Sequence, residues 1–274
     1  MRRMLLCWLA GIVLLGVGQP ASAQTVPYPD SMASTGDSIT RAFNSSVIPF
    51  VDAPWNSWST GSNGVVQSHY RRILAANPAI FLRNFNDARS GAEMADLPRQ
   101  VQLVNAQHVE YVTVLMGAND ACASSEAAMT PVAEFRAQYE AALADLAAGS
   151  PQAYVYVVSI PDVYRLWALF HEDPNARLRW RLTGFCKSML ARPASTAPAD
   201  EAQRQHVRRR IIEYNAVLAD SCALYVRCHF DGNAVFDYRF QRKDVSRHDY
   251  FHPSREGQRV LAEVTWQAGF PFAP

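Results

Sequence analysis

The sequence predicts a single α/β domain built on a parallel sheet that helices cover on both faces. Strand-like apolar runs alternate with helical patterns at least four times, which is the order that successive βαβ units produce. The runs at Val109–Met116 and Ala153–Ile160 also lack polar alternation, as strands buried on both faces do. The roughly 250 residues that follow Ala23 suit one domain of this class.

The first 23 residues have the pattern of a secretory signal. Arg2 and Arg3 precede an apolar run from about Leu5 to Val17, and Ala21-Ser22-Ala23 is a small-residue cleavage pattern. The apolar run is shorter than the roughly 20 residues that a membrane-spanning helix needs. We therefore expect a signal peptide at 1–23 and a soluble mature domain at 24–274, secreted or periplasmic.

Charge and cysteine content narrow the function further. The formal net charge is +1 with the two signal arginines included, so no nucleic-acid partner is expected.

Four cysteines follow the signal, and an even number in an exported protein predicts two disulfides, for which three pairings are possible. Cys222–Cys228 would close a short local loop, which leaves Cys122–Cys186 as a long-range bridge. Their spacing does not match a zinc site, so a structural role is expected.

The first half of the mature chain is expected to hold two strands before the central one. They are Met32–Thr35, which ends at a glycine, and Ile80–Asn86. Helices are predicted over Gln67–Ala76 and around Leu97–Asn105. Between Asn44 and Gly64, prolines and glycines replace the apolar repeat, which predicts a long surface loop.

Long loops in compact domains are usually functional. Trp55 and Trp58 in this loop are therefore expected either to line a substrate cleft or to pack within the loop itself.

The second half continues the alternation. Thr130-Pro131 is a good N-cap and first turn, and an apolar stripe follows it to Leu146. Residues 161–190 are less regular and either cap the site or, as apolar side chains at helical spacing favour, extend the core. A helix at Val207–Leu218, a last strand at Leu224–Phe230 and a closing helix at Glu256–Trp266 complete the prediction.

Ser38, Gly91 and Asn119 each follow a predicted strand. The carboxyl ends of parallel strands meet at one edge of a sheet, so these residues should converge there. Acyl transfer needs donors aimed at the oxyanion, and the Ser38 and Gly91 N–H groups and the Asn119 amide are candidates. Taken singly, Gly91 fits an ordinary helix-entry turn and Asn119 an ordinary cap equally well.

A serine hydroxyl becomes a nucleophile only when a base takes its proton. The best candidate base is His252, because Asp249 precedes it by three residues in a turn closed by Pro253 and can orient its imidazole. His248 and His252, four residues apart, could together hold a metal ion. No third ligand lies near them in the sequence, so no metal is expected. The other histidines are expected at the surface or in packing: His69, His108, His171, His206 and His229.

Four segments resemble the sequence blocks of the SGNH (GDSL) hydrolase family, in the family's order. They are Gly36-Asp37-Ser38-Ile39, Gly91, Gly117-Ala118-Asn119-Asp120 and Asp249-Tyr250-Phe251-His252-Pro253. The resemblance implies a flavodoxin-like three-layer sandwich with a five-stranded parallel sheet. It also implies that Ser38, Asp249 and His252 form a triad, and that Ser38, Gly91 and Asn119 form an oxyanion hole.

Further segments resemble the phospholipase B-like branch of that family: Ser57–Gly61, Asp96–Pro98, Asn119–Cys122 and Val157–Val163. The resemblance implies a secreted esterase or lipase that acts on lipid or phospholipid acyl esters without a cofactor. An apolar acyl site could then use Trp55, Trp58, Trp167 and Trp180. We expect a monomer that contacts a membrane surface or micelle only transiently. The alternatives are a carbohydrate O-deacetylase, an acyltransferase and a non-catalytic secreted binding protein.

Overall fold

A five-stranded parallel sheet forms the centre of the protein. The computed structural model describes residues 25–273, so the predicted signal peptide lies outside the described residues. The strands in chain order are β1 (Val26–Pro27), β2 (Met32–Gly36), β3 (Asn84–Asn86), β4 (Tyr111–Leu115), β5 (Tyr154–Val157), β6 (Cys228–Phe230) and β7 (Phe272–Ala273). The main sheet has the order β3-β2-β4-β5-β6, and β1 pairs with β7. All these pairs are parallel.

The strand order places a binding crevice between β2 and β4. Counted among the five strands of the main sheet, the order is 2-1-3-4-5, which is that of flavodoxin-like folds and confirms the predicted fold class. From β2 the chain crosses to β3 on one side, and from β3 it crosses back to β4 on the other side of β2. The connections that follow β2 and β4 therefore run in opposite directions. Ligands of such sheets bind outside the carboxyl ends at this point.

Helices flank the sheet on both faces. Their bounds are α1 (His69–Ala76), α2 (Leu97–Gln107), α3 (Ala118–Ala121), α4 (Val132–Gly149), α5 (Val163–Phe170), α6 (Pro174–Thr183), α7 (Lys187–Leu190), α8 (Pro198–Cys222), α9 (Ala234–Asp237) and α10 (Arg255–Gln267). α4 packs between α2 and α8. α1 meets α10 through the buried His69, whose Nδ1 lies 2.9 Å from the Tyr111 hydroxyl and whose Nε2 lies 2.8 Å from the Thr265 hydroxyl. Among residues 25–273, no helix is long and apolar enough to cross a bilayer.

Two predicted strands are shorter than expected. Only Asn84–Asn86 of the predicted Ile80–Asn86 strand is extended, because a 3₁₀ turn occupies Pro78–Ile80 and Leu82 has a left-handed φ of 61°. Only Cys228–Phe230 of the last predicted strand is formed. The predicted helix at Val207–Leu218 is instead the middle of α8, whose first residue is Pro198. Proline suits that position because its missing N–H would have no helical partner.

Both disulfides join the cysteines that loop length suggested. The S–S distances are 2.04 Å for Cys122–Cys186 and 2.03 Å for Cys222–Cys228. Cys122 directly follows α3, and Cys186 lies in the segment between α6 and α7. The long-range bridge therefore ties that segment to the turn after β4.

Candidate active site

The turn after β2 holds Ser38 in a fixed position at the crevice. Gly36 has a φ of +143°, and a Cβ there would lie 2.3 Å from the Leu115 carbonyl oxygen, so only glycine fits. The buried Gln100 side chain clamps this glycine: its Oε1 accepts from the Gly36 N–H at 2.7 Å and its Nε2 donates to the Gly36 carbonyl at 2.9 Å. Ser38 itself is 8% exposed.

Ser38, His252 and Asp249 form a continuous hydrogen-bonded series. The Ser38 Oγ lies 2.9 Å from His252 Nε2, and His252 Nδ1 lies 2.6 Å from Asp249 Oδ2. With Nδ1–H donating to the carboxylate, Nε2 is left to accept the serine proton. These are the contacts that the nucleophile, base and orienting acid of a serine hydrolase require.

The Asp249 carboxylate is fully buried and heavily hydrogen-bonded. Its Oδ1 accepts from the N–H groups of Phe251 and His252 at 2.9 and 3.1 Å, which closes the turn between Asp249 and His252. Its Oδ2 accepts from Asn44 Nδ2 at 2.5 Å as well as from His252. Burial raises the pKa of Asp249, but the bonds from His252 and Asn44 outweigh this, so the pKa is lowered. The carboxylate therefore stays ionised.

Asn44 is a site residue that the sequence did not reveal. It is 1% exposed, and both ends of its side-chain amide are engaged, because Oδ1 also accepts from the Phe50 N–H. Asn44-Ser45-Ser46 has the pattern of an N-glycosylation acceptor. A glycan cannot attach to this side chain in the folded protein, since its Nδ2 is buried against Asp249.

Three aromatic rings pack around the imidazole. The rings of Phe43, Phe185 and Phe251 lie edge-on to the His252 ring with centroids 4.9, 5.3 and 5.0 Å away. Phe185 comes from the segment between α6 and α7, beside the Cys122–Cys186 bridge. The rings restrict the imidazole to the orientation that faces Ser38.

The structure brings Gly91 and Asn119 to the same place. Asn119 lies in α3, directly after β4, and its Nδ2 donates to the Ala92 carbonyl at 2.9 Å, which leaves a second amide hydrogen. Gly91 has a φ of +82°, and apart from its two chain neighbours no described residue has an atom within 4 Å of a Cβ built there. The left-handed φ, which glycine adopts without strain, favours glycine at this position.

Asp120 holds the loop that carries Gly91 in place. Its Oδ2 accepts from the Met94 N–H and its Oδ1 from the Thr130 hydroxyl, both at 2.9 Å. Burial raises the pKa of Asp120 to about 6. Asn119 and Asp120 thus bond to neighbouring residues of one loop, Ala92 and Met94, and fix the two non-serine oxyanion candidates relative to each other.

Asp37 is buried beside the candidate nucleophile with one oxygen unpaired. Its Oδ1 accepts from the Ile39 N–H at 2.8 Å, whereas Oδ2 has no hydrogen-bond partner within the described part of the chain. Burial raises the pKa of Asp37 to about 7, although the Ile39 hydrogen bond and the His252 charge lower it. The folded protein thus binds this proton more tightly than the unfolded chain does.

We expect Asp37 to make the protein less stable as pH rises. Because the folded-state pKa is raised from 3.8 to about 7, the free energy of unfolding should fall across that interval and level off above it. The cost at high pH is of the order of a few kcal/mol. Asp37→Asn cannot ionise, so denaturant unfolding between pH 4 and 8 should show a shallower slope. Exposed Asp145→Asn should keep the wild-type slope, and an unchanged slope in Asp37→Asn would contradict the assignment.

Two grooves meet at Ser38, Asn119 and His252. The larger spans about 750 Å³ when the open solvent at its mouth is included, and its walls are mostly apolar. Its apolar lining comprises Ile39, Ala118, Pro161, Val163, Leu166, Leu169, Phe240, Val245, Phe251, Pro253 and Leu261. The smaller, of about 580 Å³, is lined by Gly91, Phe43, Phe185 and the Cys122–Cys186 bridge.

The four tryptophans suggested for an acyl site from the sequence do not line these grooves. Trp58 is fully buried, and its indole Nε1 lies 3.3 Å from the Thr40 hydroxyl, so of the two roles expected for it the structure shows packing and not a place in either groove. Trp55 is 48% exposed and lines neither groove. Trp167 and Trp180 are buried, with their indole N–H groups donating to the Pro193 and Tyr250 carbonyls.

The segment 161–190 combines the two roles proposed from sequence. Its Trp167, Phe170 and Trp180 extend the core, whereas Leu166 and Leu169 on α5 form a wall of the larger groove.

A flavodoxin-like sheet with serine, histidine and aspartate in series at its crevice defines an SGNH-type hydrolase fold. Residues 35–260 match the GDSL-like lipase/acylhydrolase family, and the chain belongs to that family. A search of curated proteins finds no match.

Solved structures share the fold at low identity. One is LAE5, an alpha/beta hydrolase enzyme from the metagenome of Lake Arreo, at 16% identity over 90% of this chain and 95% of that one, with a TM-score of 0.51. Another is a Clostridium thermocellum family 3 carbohydrate esterase, at 12% identity over 86% and 93%, with a TM-score of 0.50. These likenesses support the fold alone.

Proposed function

We propose that this protein is an exported serine esterase or lipase that hydrolyses carboxylic esters through an acyl-enzyme. The observation that carries the proposal is the series Ser38–His252–Asp249 at the mouth of an apolar groove. Ser38 Oγ attacks the ester carbonyl while His252 Nε2 takes its proton. His252 then gives that proton to the leaving alkoxide, and the acyl group stays on Ser38. Water activated by His252 releases the acid and restores the serine.

The oxyanion donors are proposed to be the Ser38 and Gly91 N–H groups and the Asn119 amide. Gly91 and Asn119 both line the smaller groove with Ser38. Their fixed positions matter, because donors that need no rearrangement stabilise developing charge most strongly.

The larger groove is proposed to hold the acyl chain. Its lining is mainly aliphatic, as in sites that bind apolar groups. Among residues 25–273, the charged members of the lining are Asp162, Arg165 and Asp244. A long acyl chain gains stabilisation from this burial for every methylene, whereas an acetyl group would leave most of the groove empty. Lipid acyl esters are therefore favoured over the small acetyl esters of carbohydrates.

Export is proposed from residues 1–23 as a signal peptide. The two disulfides support it, since disulfides persist in oxidising compartments.

The substrate proposal is tested with p-nitrophenyl esters from acetate to palmitate, using the chain without residues 1–23 beside Ser38→Ala. We expect kcat/KM to rise with acyl length and to vanish in Ser38→Ala. Leu169→Trp should narrow the larger groove, lower the rate on long esters and leave acetate nearly unchanged. Activity confined to acetate would replace the lipid substrate by a small or carbohydrate ester. The absence of any Ser38-dependent rate would contradict the esterase proposal and favour a binding protein.

A further inference from the structure

The loop at residues 44–52 exposes an apolar tip. Val47 is 91% exposed, Ile48 59% and Phe50 47%, and Pro49 between them is also exposed. No charged residue occurs from Asn44 to Val51. Contiguous exposed apolar side chains of this kind mark interaction sites on folded proteins.

The loop backbone holds this tip outward. The Asn44 N–H donates to the Val51 carbonyl at 3.0 Å, which closes the loop at its base. Inside it, Phe50 N–H donates to Asn44 Oδ1, and Ile48 N–H donates to Ser46 Oγ at 3.2 Å. Phe50 has a left-handed φ of 58°, which non-glycine residues rarely adopt. The exposure of the tip is thus specified by the fold of the loop.

Both ends of the loop touch the candidate active site. At one end, Asn44 bonds Asp249, and the Ser46 carbonyl accepts from His248 Nε2 at 3.0 Å. At the other end, the Asp52 carboxylate accepts from the Ser90 hydroxyl, next to Gly91. The base of the loop therefore lies beside the smaller groove, which Phe43 and Ser90 line, and the tip projects from there.

We propose that Val47, Ile48 and Phe50 insert into the surface of a lipid aggregate and dock the enzyme with its grooves facing the substrate. This rests on the proposed lipid esterase function. Side chains of this type enter the boundary between headgroups and acyl chains. Arg247 adds an exposed cation suited to anionic headgroups: it lies between Ser246 and His248, which both bond this loop, and it pairs with no acidic residue in 25–273. The tip is too small for a stable protein interface, which takes roughly 20–30 residues a side.

Another exposed apolar pair supplies a matched control. Leu224 is 75% exposed and Val226 104%. Both precede β6, so they lie toward the amino ends of the strands, at the edge of the sheet opposite Ser38. Non-specific adsorption of exposed apolar side chains to lipid would involve this pair as well. Docking that turns the grooves toward the lipid would not.

The test measures co-sedimentation with phosphatidylcholine–phosphatidylglycerol vesicles, using the mature chain with Ser38→Ala so that no lipid is consumed. Val47→Ser/Ile48→Ser should partition to vesicles about tenfold more weakly or worse, and Leu224→Ser/Val226→Ser should partition as the parent does. With Ser38 intact, the tip variant should lose about tenfold in its rate on micellar ester relative to its rate on dissolved ester. Circular dichroism checks the fold of each variant.

Three outcomes would overturn the proposal. They are no vesicle binding by the parent, equal loss in the control pair, or a lipid-free dimer that the tip variant dissociates. Because sedimentation uses Ser38→Ala, its result can be read even if the protein hydrolyses no ester. Failure of docking and failure of the esterase proposal are therefore distinguishable.

Discussion

His252→Ala is expected to lower kcat on a preferred p-nitrophenyl ester by about 10⁵ to 10⁶. Within residues 25–273, the His252 imidazole is the only side chain that hydrogen-bonds Ser38 Oγ. Its loss should therefore leave the hydroxyl without a base. Removing the base of such a triad costs about as much as removing all three members. The effect is measured by steady-state kinetics, with kcat calculated per folded protein molecule.

A surface histidine provides the control for that variant. His206 pairs with Glu126 at the surface, and His206→Ala should keep kcat within about twofold. Free imidazole should restore part of the His252→Ala rate, since the space between Phe43, Phe185 and Phe251 is shaped for that ring. A loss smaller than about tenfold in His252→Ala would show that another group activates Ser38.

Asn119→Ala is expected to lower kcat by about 10²- to 10³-fold, with KM little changed. The amide is proposed to donate to the oxyanion, which exists only along the reaction path, so its removal should affect the transition state far more than substrate binding. Asn119→Asp should be at least as harmful, because it places a carboxylate where negative charge develops.

The Ala92 bond of Asn119 must be separated from that role. Loss of the bond to the Ala92 carbonyl would loosen the Gly91 loop and lower the melting temperature. Asp120→Asn perturbs the same loop through Met94 without touching the oxyanion and serves as the comparison. If both variants lost kcat equally and in proportion to stability, Asn119 would be a structural residue only.

The sequence predicted those parts of the site that follow from local pattern. Ser38, Gly91 and Asn119 come directly after strands or in the turns that follow them, and parallel strands bring their carboxyl ends together. Asp249 and His252 share one turn, so their contact needs no long-range information. The two strands β4 and β5 were predictable because buried strands leave unbroken apolar runs, whereas the five-stranded sheet was implied by the family resemblance.

What the sequence did not reveal depends on contacts between distant segments. Asn44 reaches Asp249 across 205 positions, and nothing in a loop of prolines and serines marks it. The sequence left Trp58 open between a cleft and packing because its loop lacks apolar repeats, and the residue is fully buried in the core. Leu166 and Leu169 in the groove wall recur at the same helical spacing as core residues. Only their burial in the folded protein distinguishes wall residues from core residues.

The most direct test of the proposed mechanism is covalent labelling by a fluorophosphonate, which reacts much faster with an activated serine than with an ordinary hydroxyl. Intact-mass and peptide analysis should show one adduct per chain on Ser38, at a rate that falls by orders of magnitude in His252→Ala. Labelling at another serine, or equal labelling in His252→Ala, would contradict the proposal that His252 activates Ser38 for acyl transfer.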